Sequence, residues 1–232
     1  MSQGFSLLLK LKSARNIDMK RPLLQVALDV LEEKVALEIA VQIAPVVEIL
    51  EVGTPLLKAV GAKIITELKQ RFPQNLILAD TKTMDVGALE AALVFEAGAD
   101  FMTVCAAAPL ETIEAAIGEA KRWKRKVVVD FIGIRDKLKR AKDIVPLGPD
   151  YFGLHTAIDV QRTQGKSFKE LAVFKEEFNI PLAIAGGITP EDIREIMTYS
   201  PEIIVVGGFV TKAKHPYEAV MALRREIEYA LS

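Results

Sequence analysis

From Leu23 onward, short apolar runs rich in Val, Ile and Leu alternate with longer segments whose apolar positions recur at helical spacing. The runs are LLQVAL (23–28), VVEILE (46–51), LILAD (76–80), FMTVC (101–105), KVVVDF (126–131), YFGLH (151–155), PLAIA (181–185) and EIIVV (202–206). Helical periods cover 31–43, 56–71, 88–97, 110–123, 168–178, 190–199 and 217–231. Strands that are apolar along their whole length bury side chains on both faces, which is the pattern of a parallel sheet covered by helices. Eight such runs in a chain of 232 residues predict one (β/α)8 TIM barrel, with an open doubly wound sheet as the alternative.

Local punctuation agrees with these elements. Thr189-Pro190-Glu191-Asp192 offers an N-cap hydroxyl, a proline at the first helical position and acids in the first turn, so a helix begins there. Gly98 is placed to end one helix, and Phe72-Pro73 to stop another by removing a donor. The catalytic domain is therefore assigned to 23–232, with 1–22 as an extension of unknown role. Within that extension the SLLL core is too short for a signal peptide, and no small-residue cleavage site follows it.

Composition narrows the setting. Half of the residues are hydrophobic and the net charge is −1, with no basic stripe to suggest nucleic acid and no apolar run long enough to span a membrane. A single cysteine, Cys105, allows no internal disulfide framework and suits a reducing compartment such as the cytoplasm. Cys105 is read as a small buried hydrophobe, Met102 and Trp123 as packing residues, and His215 as a surface residue.

Charge is concentrated where strands end. Asp29, Glu51, Asp80 with Lys82, Asp130 and His155 close the first, second, third, fifth and sixth runs. Asp80 and Lys82, two apart in a strand, share one face, while Thr81 points away. In a β/α barrel all these ends converge at one mouth, where active sites are built. A single acid of this kind is as readily a cap or a structural ion pair. Its repetition over five strands points to an active site. Strands seven and eight end instead in Gly186-Gly187 and Gly207-Gly208. Exposed backbone N–H groups at these two loops suit a phosphate, so a phosphorylated small molecule is expected; no GxGxxG follows the first strand to hold a nucleotide cofactor.

The segments QVALD (25–29), LEVGTPL (50–56), DTKTMDVGALE (80–90), VDFIGIRDKLKRAKD (129–143), LHTAIDVQ (154–161), AIAGGITPED (183–192) and VVGGFVTKAKHP (205–216) together resemble the 3-hexulose-6-phosphate synthase branch of the orotidine 5′-phosphate decarboxylase superfamily. The resemblance runs through nearly all of the chain after residue 22. A sister branch, 3-keto-L-gulonate 6-phosphate decarboxylase, is expected to have arginine where this chain has Ile158, and Glu in place of Asp130.

The resemblance implies an Mg²⁺-dependent aldolase, cytoplasmic, that joins formaldehyde to D-ribulose 5-phosphate, giving D-arabino-3-hexulose 6-phosphate, and runs in reverse. Its enediolate would be stabilised by the metal. A decarboxylase-like enzyme acting on another sugar phosphate is the alternative. Glu51 and Asp80 are then expected to hold Mg²⁺, Lys82 to place a positive charge beside the enediolate, and His155 to move protons. Asp29 and Asp130 would bind substrate hydroxyls or orient Lys82, and Gly187, Gly207 and Gly208 would hold the phosphate. Asp85, beyond the strand end, is expected to reach across the interface of a homodimer into the neighbouring site.

Overall fold

The computed structural model describes residues 21–157, 159, 160 and 166–232; most of the N-terminal extension and Ile158 lie outside them. Eight strands are described: β1 (Leu23–Leu28), β2 (Ile49–Val52), β3 (Leu76–Thr83), β4 (Phe101–Cys105), β5 (Lys126–Asp130), β6 (Tyr151–His155), β7 (Leu182–Ala185) and β8 (Ile203–Val206). They pair in sequence order, all in parallel, and close into a barrel where β8 meets β1, with Leu23 opposite Ile203 and Val26 opposite Val206. The fold is the expected TIM barrel.

Helices α1 (Glu33–Ile43), α2 (Thr54–Val60), α3 (Lys63–Arg71), α4 (Gly87–Glu96), α5 (Leu110–Trp123), α6 (Lys137–Ile144), α7 (Glu170–Glu177), α8 (Pro190–Thr198), α9 (Gly208–Thr211) and α10 (Pro216–Leu231) surround it. Strand alternation divides the apolar residues into two cores. Ile49, Leu78, Phe101, Val128, Ala183 and Ile203 fill the barrel interior. Leu24, Val26, Leu50, Ile77, Met102, Phe152 and Ile204 pack outward with the helices. Each fully buried Leu or Ile side chain contributes about 1.5–3 kcal/mol, so the two layers together drive closure.

Four differences from the sequence reading have local causes. The 56–71 helix is two helices, because Gly61 adopts φ 82° between them. Helix α6 was not anticipated: KLKRAKDI buries only Ala141 and Ile144, and it is started by Asp136, whose carboxylate accepts the Lys139 N–H at 3.0 Å. The start of β2 is later than expected because Pro45 sits in a 3-10 turn, Ala44–Val46. Finally, β3 continues past Asp80 to Thr83, with an irregular register against β4. The Thr189 cap is present as expected, with Asp192 accepting the Thr189 N–H at 2.8 Å. Trp123, expected to pack, is 41% exposed and donates to Glu119.

At the barrel floor, an acid stands immediately before each even-numbered strand and caps the preceding odd strand. Glu48 accepts the Leu24 N–H at 2.8 Å, Asp100 that of Ile77 at 2.9 Å, Asp150 that of Val127 at 2.9 Å and Glu202 that of Leu182 at 2.6 Å. Each also meets a cation: Arg224, Lys69 with Arg125, Lys126 and Lys175 respectively. Strand-start donors that closure would leave unpaired are thereby satisfied. The charges at this end serve the fold and leave the chemistry to the other end.

Candidate active site

At the C-terminal mouth, the strand ends enclose a cavity lined by Asp29, Glu51, Asp80, Lys82, Asp130 and His155 on one side and by Ala185, Gly186, Gly187 and Gly207 on the other. Small residues lower in the wall, Ala27, Gly153 and Ala183, leave it room to descend between the strands. Of the residues singled out in the sequence, two stay outside this lining. Gly208 begins α9 at the rim. Asp85 is exposed on the turn into α4, where its own carboxylate accepts the Val86 N–H at 2.7 Å.

Lys82 is the hub. Its Nζ lies 2.7 and 3.0 Å from the two oxygens of Asp80, and 3.3 Å from Asp130 Oδ2. Loss of water would lower its pKa, but Asp80, Asp130 and Glu51 more than offset this and hold the ammonium charged well above its ordinary range. The same Asp130 oxygen is 3.3 Å from His155 Nδ1, and its other oxygen accepts the Ile132 N–H at 2.8 Å. Burial works to raise the Asp130 carboxyl, yet the hydrogen bond and charge of His155, with Lys82, leave it below its ordinary value. Asp130 therefore orients Lys82 and His155 together.

Negative charge is in excess. Glu51 is raised well above the ordinary carboxyl range by burial first, then by the charges of Asp80 and Asp29. Asp29, open to solvent through the mouth, is also raised, by the loss of water along the cavity wall and by Asp80. Carboxylates that repel one another around one lysine provide a hard, oxygen-rich setting for a divalent cation. The described residues bring no three His, Cys, Asp or Glu side chains into a metal-holding group. Glu51 and Asp80 are the carboxylates that could hold a divalent cation there, with water and substrate oxygens as its remaining ligands.

Further contributors were not singled out in the sequence. Gln25, 3% exposed and lining the cavity, donates from Nε2 to Glu51 Oε2 at 2.7 Å, while its Oε1 has no partner among the described residues. Its signal was a lone amide at an inward position of an apolar strand. Thr54 and Thr103 both donate to the Asp80 carboxylate, at 2.7 and 2.8 Å. A threonine in a strand, as Thr103 is, or opening a helix, as Thr54 is, is too ordinary to stand out. Gly53 leaves room for Asp29: a Cβ there would come within 2.1 Å of Asp29 Oδ1, so the carboxylate would have to move. Gly186 and Gly187 adopt φ 133° and 62°, so the turn after β7 needs glycine for its conformation. Cys105 is buried as expected, its thiol pushed up to about 11 mainly by burial and next by Asp130.

The chain is similar to known proteins along most of its length. Residues 22–223 match the family described as Orotidine 5'-phosphate decarboxylase / HUMPS family. The 3-hexulose-6-phosphate synthase of Mycobacterium gastri is 39% identical over 204 residues, covering 88% of this chain and 99% of the relative. A crystal structure of 3-hexulose-6-phosphate synthase superposes with a TM-score of 0.84 at 39% identity, covering 88% of this chain and 99% of that one. KGPDC from Streptococcus mutans superposes with a TM-score of 0.87 at 26% identity, covering 92% of this chain and all of that one. This chain is an enzyme of the Orotidine 5'-phosphate decarboxylase / HUMPS family, and its place there is with the 3-hexulose-6-phosphate synthases.

Proposed function

We propose that this enzyme condenses formaldehyde with D-ribulose 5-phosphate to give D-arabino-3-hexulose 6-phosphate, and catalyses the reverse cleavage. The observation that carries the reading is the Asp80–Lys82–Asp130–His155 cluster facing a glycine-lined wall across one cavity. It suits a substrate that is an anion at one end and forms an enediolate at the other.

In the forward direction His155 takes a proton from C1 of the sugar, and the electron pair remains as the enediolate. Lys82 stabilises the developing negative charge in place, because its ammonium is held charged before substrate arrives. C1 then forms a bond to the carbon of formaldehyde as its C=O π pair moves to oxygen, and that oxygen takes back the proton held by His155 to become the new terminal hydroxyl. Glu51 and Asp80 would hold Mg²⁺, which would supply Lewis-acid stabilisation of the same charge. Asp130 keeps His155 and Lys82 oriented, and Asp29 at the mouth is free to meet sugar hydroxyls.

The phosphate is assigned to the backbone at Gly187, Gly207 and Gly208, where absent side chains permit close approach. Such remote anchoring positions the reacting carbon. The relatives named 3-hexulose-6-phosphate synthase, whose name specifies a sugar phosphate, support a ligand of this chemistry. A site shared across a homodimer is supported by the surroundings of Asp85, where Met84, Val86, Leu89 and Leu93 are all largely exposed. Of the features that separate the decarboxylase alternative, Asp130 favours the synthase. Ile158 lies outside the described residues.

A coupled assay for formaldehyde consumption with D-ribulose 5-phosphate, with and without EDTA, tests the proposal. Turnover that EDTA abolishes and Mg²⁺ restores is expected, with unphosphorylated ribulose used far less efficiently. Absence of formaldehyde-dependent turnover in the Mg²⁺-loaded enzyme overturns the reading, and full turnover in EDTA overturns the metal assignment.

A further inference from the structure

We propose that Thr103 is the positioning residue that holds Lys82 and Asp80 in their working geometry. This rests on the reading of Lys82 and Asp80 above. Between paired positions Ala79–Met102 and Thr83–Val104, β3 advances four residues while β4 advances two, so β3 bulges where Asp80 and Lys82 stand. Within the bulge Lys82 has φ 46°, a left-handed conformation that is unfavourable for a residue with a Cβ. Such strain persists only where neighbouring contacts impose it.

Thr103 supplies those contacts from the adjacent strand. Its Oγ1 accepts the Lys82 backbone N–H at 2.9 Å and donates its proton to Asp80 Oδ1 at 2.8 Å. Its carbonyl accepts the Thr81 hydroxyl at 2.5 Å, which ties down the residue between the two. One buried hydroxyl thus replaces a ladder bond that the bulge removes, and it also aims the carboxylate that grips Lys82 Nζ. Its donor is committed to Asp80 and an acceptor site to Lys82, so a methyl group in its place can do neither. A threonine that only filled space would tolerate valine, which is nearly isosteric and favoured in strands. Thr54 fixes the other Asp80 oxygen, and among the described residues its hydroxyl is directed to Asp80, at the carboxylate and the carbonyl.

The test compares Thr103→Val, Thr103→Ala and Thr103→Ser in the Mg²⁺-loaded enzyme, beside wild type as the control for the parent reaction. Loss of kcat by about tenfold to hundredfold is expected for Val and Ala, the range for misplacement of a reacting group by about an ångström. KM for the sugar phosphate should change by less than about threefold because the remote anchor is intact, and Ser should restore kcat to within about threefold of wild type. Exchange of the C1 hydrogen of D-ribulose 5-phosphate with D₂O, without formaldehyde, should fall in parallel with kcat. A crystal structure of the Val variant should show Lys82 out of the left-handed region or Nζ withdrawn from Asp80. If wild type is inactive, the parent reading fails. If wild type is active, unchanged kcat in a folded Val or Ala variant overturns the role of Thr103. So does a Ser variant as impaired as Val, or an unmoved Lys82.

Discussion

Both ends of the barrel carry carboxylates beside cations, but they are satisfied to different degrees. At the floor, Glu48, Asp100, Asp150 and Glu202 each bind a backbone N–H of a neighbouring strand and a basic side chain. At the mouth, Asp29, Glu51, Asp80 and Asp130 crowd around Lys82, and burial and mutual repulsion raise the carboxyls of Glu51 and Asp29. A structural acid has its lone pairs directed at the fold. At the mouth Asp80 and Asp130 are paired in a similar way, Asp80 with Lys82, Thr54 and Thr103, and Asp130 with Lys82, His155 and the Ile132 N–H. It is Glu51 and Asp29 whose raised carboxyls are directed at something still to come. The mere presence of a buried carboxylate therefore says less than the identity of its partners.

The contrast is broken most severely by removing the hub of the mouth. Lys82→Ala is expected to lower kcat/KM by about 10²- to 10³-fold, the loss for deleting one electrostatic stabiliser, measured on the folded fraction because the variant also strands the Asp80 and Asp130 carboxylates. The same variant tests the shared site. When mixed with Asp85→Ala, each exchanged heterodimer has one site with neither defect, so activity should return to about half the wild-type value per heterodimer. If the chains exchange and activity stays at the parental level, Asp85 acts in its own subunit or only structurally.

A smaller effect with the opposite signature is expected at the floor. Asp100→Ala strands Lys69, Arg125 and the Ile77 N–H. Losing one partner of such a buried network costs about 3–5 kcal/mol, or roughly 10 °C in Tm for a chain of this size. The kcat of the molecules that remain folded should be unchanged. Calorimetry together with active-site-normalised kinetics checks this, and a comparable loss of kcat would place Asp100 in the function of the mouth.

Smallest in stability, and opposite in sign, is Glu51→Gln. The Glu51 carboxyl titrates above its ordinary value near 4.5. Its contribution to stability is complete below that ordinary value and is lost as pH rises through the raised one. Without Mg²⁺ at pH 8, the variant should therefore melt higher than wild type, by roughly 2–4 °C for about 1 kcal/mol. The increase in Tm that Mg²⁺ gives the wild type should shrink in the variant, with turnover. A lower apo Tm would show that Glu51 belongs with the structural acids.

The alternation of apolar runs with helical periods specified a parallel sheet covered by helices and favoured a barrel over an open doubly wound sheet; the pairing of β8 with β1 in the tertiary structure decided between them. Charged residues ending several such strands also announced the mouth: Asp29, Glu51, Asp80, Lys82, Asp130 and His155 do meet there. Helix α6 was hidden because its polar sequence shows little apolar period, and its start rests on one aspartate cap. Other features depended on which strand lies beside which. Alternation put Asp80 and Lys82 on one face, but the β3 bulge and the positive φ of Lys82 set their separation, and Thr103 holds that bulge from β4. Gln25 reaches Glu51 only because β1 pairs with β2. The exclusion of Asp85 and Gly208 from the cavity was likewise decided by how the chain leaves β3 and β8. Periodicity is a property of neighbours along the chain, whereas the hydrogen bonds that aim a catalytic side chain join residues on different strands. Those bonds come into being only when the register between the strands is set.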